Sequence, residues 1–196
     1  LRHEFLQTLE RSGAVCRDPG LKPGHLGLTR DDRLDAAVPC YLKSHSDGEF
    51  IFDWAWARAY QQSGLEYYPK LLVAVPFTPV TGRRLLTDPQ HDTDQLAPVL
   101  VRGLRTLAEK LEVSSVHCLF STSSDNRYFR DFDFVDRTSH QFHWQNDGYQ
   151  DFHDFLGSLS SKKRKNITRE RGRVREAGIG MSWLDHSEVT DQPGDF

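Results

Sequence analysis

The chain has 196 residues, 37% of them hydrophobic and 27% charged, a balance that suits a soluble globular protein and excludes a disordered or fibrous one. Its net charge of −3 gives no general attraction to nucleic acid, and no apolar run approaches the ~20 residues that a membrane span needs. The length allows one domain with a real core and part of another.

In chain order, the first helix is expected to place Leu1, Phe5, Leu6 and Leu9 on one face, with Gly13 where a glycine ends a helix. Strands are expected over 25–29 and 34–42, joined by a hairpin turn at Arg30-Asp31-Asp32-Arg33. Asp53 is placed to cap a helix that carries Trp54, Trp56 and Tyr60 and ends at Gly64. Residues 71–75 form a continuous apolar run, which marks a buried strand. Leu96, Leu100, Leu104, Leu107 and Leu111 keep helical spacing behind a cap at Asp92 or Thr93. A buried strand over 116–120, a short helix over 126–130 and two strands at 134–136 and 139–145 follow. Strands and helices in this order predict an α/β fold, a mixed sheet flanked by helices.

The character of the chain changes at Tyr149. Leu156, Leu159, Ile167, Val174 and Ala177 can share one helical stripe, with the aliphatic stem of Lys163 filling a gap. Eight Lys or Arg against two Glu between Lys162 and Glu176 give this segment a charge of +6, while the rest sums to −9. Gly178 is expected to end the helix and 179–184 to start a strand. The spacing therefore predicts a first domain over 1–148 and the opening of a second over 149–196. Leu1 at the start and an end at 191–196 without terminating logic lead us to expect a piece of a longer protein. Cys16, Cys40 and Cys118 are far apart and show no CxxC pair, so they are expected as free core residues in a reducing, cytoplasmic setting.

No GxSxG, HExxH, P-loop or GxGxxG motif is present. None of the nine histidines has a partner at ligand spacing, so no metal is expected. His140 and His143 are expected on a strand, facing opposite ways. In Tyr41-Leu42-Lys43-Ser44-His45-Ser46-Asp47-Gly48-Glu49 a strand ends in ionisable groups, the usual place for binding residues; the competing reading is a solvated loop. Phe52-Asp53-Trp54-Ala55-Trp56, with Tyr60 and Tyr67-Tyr68-Pro69-Lys70, suits either a pocket wall or the core. Pro76-Phe77-Thr78-Pro79-Val80-Thr81-Gly82-Arg83-Arg84 follows a strand and offers arginines to an anion, without the glycine spacing of a dedicated phosphate cradle. Lys162, Lys163, Arg164, Lys165 and Arg169 are the candidate polyanion-binding residues.

Several of these strings resemble one family, the bacterial Fem-like proteins of peptidoglycan biosynthesis or recognition. The segment from Pro39 to Ser46 with Gly48-Glu49, Phe52-Asp53-Trp54 and Trp56-Ala57 resembles the first signature. Tyr67-Tyr68-Pro69-Lys70-Leu71 with the Pro76 to Gly82 segment is similar to the second. Gln141-Phe142-His143-Trp144 and Leu159-Ser160-Ser161-Lys162-Lys163-Arg164-Lys165 match two more. The resemblance implies a GNAT-type (acetyltransferase-like) domain followed by a second one, here truncated. It also implies an N-acyltransferase, moving an acyl or aminoacyl group to an amine of a cell-wall precursor or another small molecule. The donor would be acyl-coenzyme A or aminoacyl-tRNA, and the site would lie between two halves, leaving this piece with negligible activity of its own. Lys43, Ser44 and His45, then Asp53, Trp54 and Trp56, Tyr68 and Lys70, and Thr78, Thr81 and Arg83 are the expected substrate-binding residues, with no general base identified. A non-catalytic peptidoglycan-recognition module and an RNA-binding protein that uses the basic helix to hold tRNA are the competing functions.

Overall fold

In the computed structural model, residues 2–16 and 20–182 are described. Helix α1 (His3–Arg11) is closed by Gly13 at φ 79° and is followed by β1 (Leu21–Pro23). Strands β2 (Leu26–Arg30) and β3 (Arg33–Val38) form the expected hairpin. Asp31 and Asp32 turn it with φ of 48° and 60°, the mirror-image turn whose twist matches that of a hairpin. Then come β4 (Cys40–Lys43), α2 (Trp54–Gln62), β5 (Lys70–Val73), β6 (Leu86–Thr87), α3 (Thr93–Lys110), β7 (Val116–Cys118) and α4 (Ser123–Arg130). The Asp92 side chain caps α3, and Thr122 caps α4.

The strands build two sheets. One runs β1-β4-β5-β7, antiparallel except for the parallel pair β5–β7, and the other runs β2-β3-β6. Because side chains alternate along a strand, the four-stranded sheet has two distinct faces. Cys40, Leu71 and Val73 pack on one side with Leu96, Leu100 and Leu104 of α3 and with Tyr128 and Phe129 of α4. Tyr41, Leu72 and Ala74 pack on the other with Val15, Leu21 and Leu119.

The expected strand over 34–42 is two strands in different sheets, broken at Pro39, which has no N–H to give a ladder. Nor do the expected strands at 134–136 and 139–145 form. Val135 and Phe142 are 89% and 98% exposed, and no neighbouring strand pairs with them to satisfy an extended backbone. His140 and His143 therefore lie on irregular chain rather than on a strand. The short strands β1 and β6 were not anticipated. Cys40 is buried and Cys118 half-buried, both packed at the main core, where burial pushes the two thiols up to about 11 and about 12; Cys16 is half-buried.

The residues up to Thr138 form one compact unit, and those from Ser139 on form another, which takes in 139–148. In the second unit, the expected continuous helix is two: α5 (Phe152–Ser158) and α6 (Ser161–Glu176). The chain between them is extended at Leu159 and Ser160, with ψ of 154° and 149°. The proposed apolar stripe is correspondingly broken: Leu156 is buried, Ile167 and Val174 are half-buried and Ala177 is exposed. Instead, Trp144, Tyr149 and Phe152 gather around Phe155. No strand is present at 179–182; residues 183–184, Leu1 and the 191–196 end lie outside the described residues.

The core on α3 generates the first prediction. Leu104 is fully buried among β-strand and α4 side chains, so Leu104→Ala should cost about 2–5 kcal/mol of unfolding free energy. Urea titration followed by circular dichroism measures this, and Leu104→Met should cost less than about 1.5 kcal/mol.

Candidate functional site

The face of the sheet that carries Tyr41 and Leu72 becomes polar at one end. Lys43, the last residue of β4, lies directly opposite Lys70, the first of β5, and His117 of β7 lies opposite Leu72. Two lysines thus share one buried sheet face. Both are nearly sealed from water, at 2% and 0% exposure. Bare ammonium groups cannot be held there, because removing an ion from water costs several kcal/mol unless partners replace its hydration.

The partners come from the connection between β4 and α2. Lys70 Nζ donates to Asp53 Oδ2 at 2.6 Å, to Glu49 Oε2 at 3.1 Å and to Ser46 Oγ at 3.1 Å. Lys43 Nζ donates to the Asp47 carbonyl at 2.5 Å and stands 3.7 Å from Glu49 Oε1. The Tyr67 hydroxyl donates to Asp53 Oδ2 at 2.5 Å and lies 3.3 Å from His117 Nε2. Ser46 also pairs with the Tyr68 hydroxyl at 2.7 Å. The rings of Tyr67 and Tyr68 flank Lys70 Nζ at 5.6 and 5.9 Å, which adds cation–π attraction. Gly48 turns this connection with φ 78°, and a Cβ there would meet the Phe77 ring at 3.2 Å.

The two carboxylates are driven apart in acidity. Burial pushes Glu49 above the usual carboxylate range, against the pull of Lys70. Burial also opposes ionisation of Asp53, but its hydrogen bonds with Lys70, Ser46 and Tyr67 outweigh this and hold it at about 2. Burial lowers Lys43, and burial together with Asp53 raises the Tyr67 phenol. Burial and the neighbouring Lys70 keep His117 neutral, lowered to about 4. Paired groups with opposed shifts are the usual material of acid–base and charge-recognition sites.

A small, partly open cleft lies beside this network. Lys43 and Glu49 line it together with Leu21, Leu72, Ala74 and Leu119, the 75–78 loop and Phe120. The loop follows β5 and Phe120 follows β7, so this part of the wall lies beyond the carboxyl ends of the parallel pair, where α/β sheets bind ligands. Phe77 and Phe120 hold φ of 57° and 52°, a strained conformation for aromatic residues.

Of the expected substrate-binding residues, Lys43, Asp53, Tyr68 and Lys70 converge in the network, and Thr78 lines the cleft. Asp53 does stand at the N-cap position of α2, yet its carboxylate makes no cap and turns inward to Lys70. Ser44 and His45 pack against Gly20, where a Cβ would come within 2.5 Å of both side chains. Trp54 and Trp56 are 47% and 52% exposed on α2 rather than buried. Thr81 and Arg83 are exposed, with Arg83 bonded to Thr87. Arg84 is buried and spends its guanidinium on the Leu119 and Val80 carbonyls. Glu49, Ser46, Tyr67 and His117 belong to the site although sequence reasoning did not select them; Glu49 and Ser46 stood within the polar segment already singled out, and Tyr67 within the aromatic one. Lys162, Lys163, Arg164, Lys165 and Arg169 are all exposed on α6 of the second unit. Among the described residues no group of three or more His, Cys, Asp or Glu is arranged to hold a metal ion, and no helix is long and apolar enough to cross a membrane.

The profile of the FemAB-like family, described as peptidoglycan biosynthesis/recognition, matches residues 1–195, and the chain belongs to that family. No curated protein and no solved structure matches it.

The histidine yields a pH prediction. With a folded value of about 4 against an ordinary 6.5, His117 takes up its proton more readily in the unfolded chain. Its contribution to stability is therefore complete above about pH 6.5 and is lost as pH falls toward 4, on the order of 3 kcal/mol in all. Denaturant titrations at pH 7 and pH 4.5 should show that loss in the wild type and a clearly smaller one in His117→Gln.

Proposed function

We propose that this FemAB-like protein takes part in N-acyl transfer, in which an acyl or aminoacyl group moves to an amine of a cell-wall precursor. Family membership supports the pathway. Within the chain, the observation that carries the reading is the buried Lys43, Lys70, Glu49 and Asp53 quartet beside a cleft. Such a group is costly to bury for stability alone, since apolar residues of similar size often serve a core as well or better.

The chemistry needs no covalent enzyme intermediate. The amine nitrogen, once free of its extra proton, attacks the carbonyl carbon of an ester or thioester. A C–N bond forms, the C–O or C–S bond breaks, and the second amine proton leaves with the departing oxygen or sulfur. Lys43 and Glu49 are suited to holding the reactants, the first through its cationic donor and the second as an acceptor of ammonium or amine protons. An acetyltransferase-like fold is part of this reading, and the mixed sheet with its cleft beyond the parallel pair supports it. Either aminoacyl-tRNA or acyl-coenzyme A serves as donor; the exposed basic face of α6 favours a polyanionic one. The family description names recognition beside biosynthesis, and a charge-balanced quartet holds a ligand as readily as it assists a reaction.

A transfer assay separates these readings. The protein is supplied with labelled aminoacyl-tRNA or acyl-coenzyme A and a peptide bearing a free amine, and labelled amide is measured. Lys70→Met, which unseats both carboxylates, should lower kcat/KM by about 100-fold. Charge reversal at Lys163, Arg164 and Lys165 should flatten the salt dependence if tRNA is the donor. Acceptor binding without transfer from either donor would leave recognition as the function.

A further inference from the structure

The segment from Gly48 to Trp54 reverses the pattern of a soluble surface. Its inward side chains include the charged ones: Glu49 and Asp53 are buried on Lys70, with Ile51 half-buried between them. Its outward side chains are aromatic: Phe50, Phe52 and Trp54 are 54%, 57% and 47% exposed. Phe52 and Trp54 lie ring against ring at 4.8 Å, and Phe50 is held at φ 59°, a region that bulky residues avoid. From the loop after β5, the exposed Phe77 lies against Gly48, where a Cβ would meet its ring at 3.2 Å. Two abutting loops thus present aromatic rings to water, and both Phe50 and Phe77 do so from a strained backbone.

Apolar residues scattered singly over a surface are ordinary, whereas rings gathered in one place mark a contact surface. Charge narrows the partner. Between Gly48 and Leu65 the only acids are Glu49 and Asp53, both turned inward, and the exposed Asp47 before them stands 3.6 Å from His45. The exposed charges at the rings are cationic: Arg58 lies one turn beyond Trp54 on the same face of α2, and Arg137 donates to the Phe52 carbonyl at 2.9 Å. Chemistry narrows it further. Three phenyl rings and one indole N–H offer too few hydrogen bonds to hold a sugar by its hydroxyls. Exposed rings rimmed by arginine are instead the composition that seats at the headgroup level of a bilayer, where rings enter the apolar boundary and guanidinium groups take phosphate.

We propose that this aromatic face docks the first unit on an anionic lipid surface, with Phe50, Phe52, Trp54 and Phe77 at the headgroup–acyl boundary and Arg58 and Arg137 on lipid phosphates. The docking is peripheral and needs no membrane-crossing helix. The buried quartet makes the face possible, because it draws both carboxylates of the segment inward and leaves the rings outside. The inference is independent of the transferase reading.

The test is flotation of the chain with vesicles of phosphatidylcholine alone and of an equal mixture of phosphatidylcholine and phosphatidylglycerol. Every protein tested carries Lys163→Glu, Arg164→Glu and Lys165→Glu. Three reversals of two charges each take the basic segment of α6 from +6 to zero, so that α6 cannot supply the attraction. This chain should still float with the mixed vesicles, and adding Phe50→Ser, Phe52→Ser and Trp54→Ser should lower its partition at least about tenfold. Arg58→Gln with Arg137→Gln should weaken binding to the mixed vesicles and leave binding to phosphatidylcholine unchanged. If the serine variant fails to fold, brominated lipid decides: it should quench the chain's tryptophan emission, and Trp54→Phe should remove much of that quenching. Absence of flotation, equal flotation with and without the rings, or quenching unchanged by Trp54→Phe overturns the proposal. So does dimerisation in sedimentation that the serine substitutions abolish, because a second copy would then cover the face.

Discussion

The Lys70 ammonium, buried and hydrogen-bonded to Asp53, Glu49 and Ser46, is the constraint around which the first unit is organised. An ion with no access to water must have its hydration replaced by fixed groups, and every one of those groups must be brought from elsewhere in the chain. Ser46, Glu49 and Asp53 all come from the ten-residue connection after β4, so that connection has to fold back over the sheet. Tyr67 and Tyr68 then close the flanks, one bonded to Asp53 and the other to Ser46. Removing any one member leaves a buried charge or polar atom exposed to an apolar setting, which is why the network behaves as a unit.

The two faces of the four-stranded sheet divide the work. The face toward α3 is an ordinary aliphatic and aromatic core, and it fixes β4, β5 and β7 in register. That register sets Lys43 against Lys70 and His117 against Leu72 on the opposite face. Precision of the polar site is thus borrowed from the apolar packing behind it. The loops that follow β5 and β7 complete the cleft, and their positive-φ phenylalanines show that the surrounding contacts hold the backbone against its own preference.

The same network explains the opposed acidities of two carboxylates that share one lysine. Asp53 receives hydrogen bonds on a single oxygen from both Lys70 and Tyr67, which favour its charged form. Glu49 has only Lys70 within hydrogen-bond distance, and burial prevails. Each carboxylate leaves one buried oxygen without a hydrogen bond, so the difference lies in the oxygen facing Lys70: two donors hold Asp53 ionised, and one does not suffice for Glu49.

The sequence by itself determined the local and the apolar parts of this protein. The heptad-like leucines of α3, the Asp92 cap, the Asp31-Asp32 turn and the buried β5 run each act over a few residues, so their signals are complete in the sequence. Long family strings also marked Lys43, Asp53 and Lys70 as a group worth watching. Only the tertiary structure decided which charges meet. Whether Asp53 caps a helix or anchors a lysine depends on β5 arriving beside β4, a pairing that no local spacing encodes. Tyr67 and His117 are 50 residues apart, and a lone histidine in a strand carries no sign of its partner. The strands expected at 134–136 and 139–145 failed for the complementary reason. Their residues have extended propensity, but a strand exists only where another offers its hydrogen bonds, and that is a property of the assembled fold.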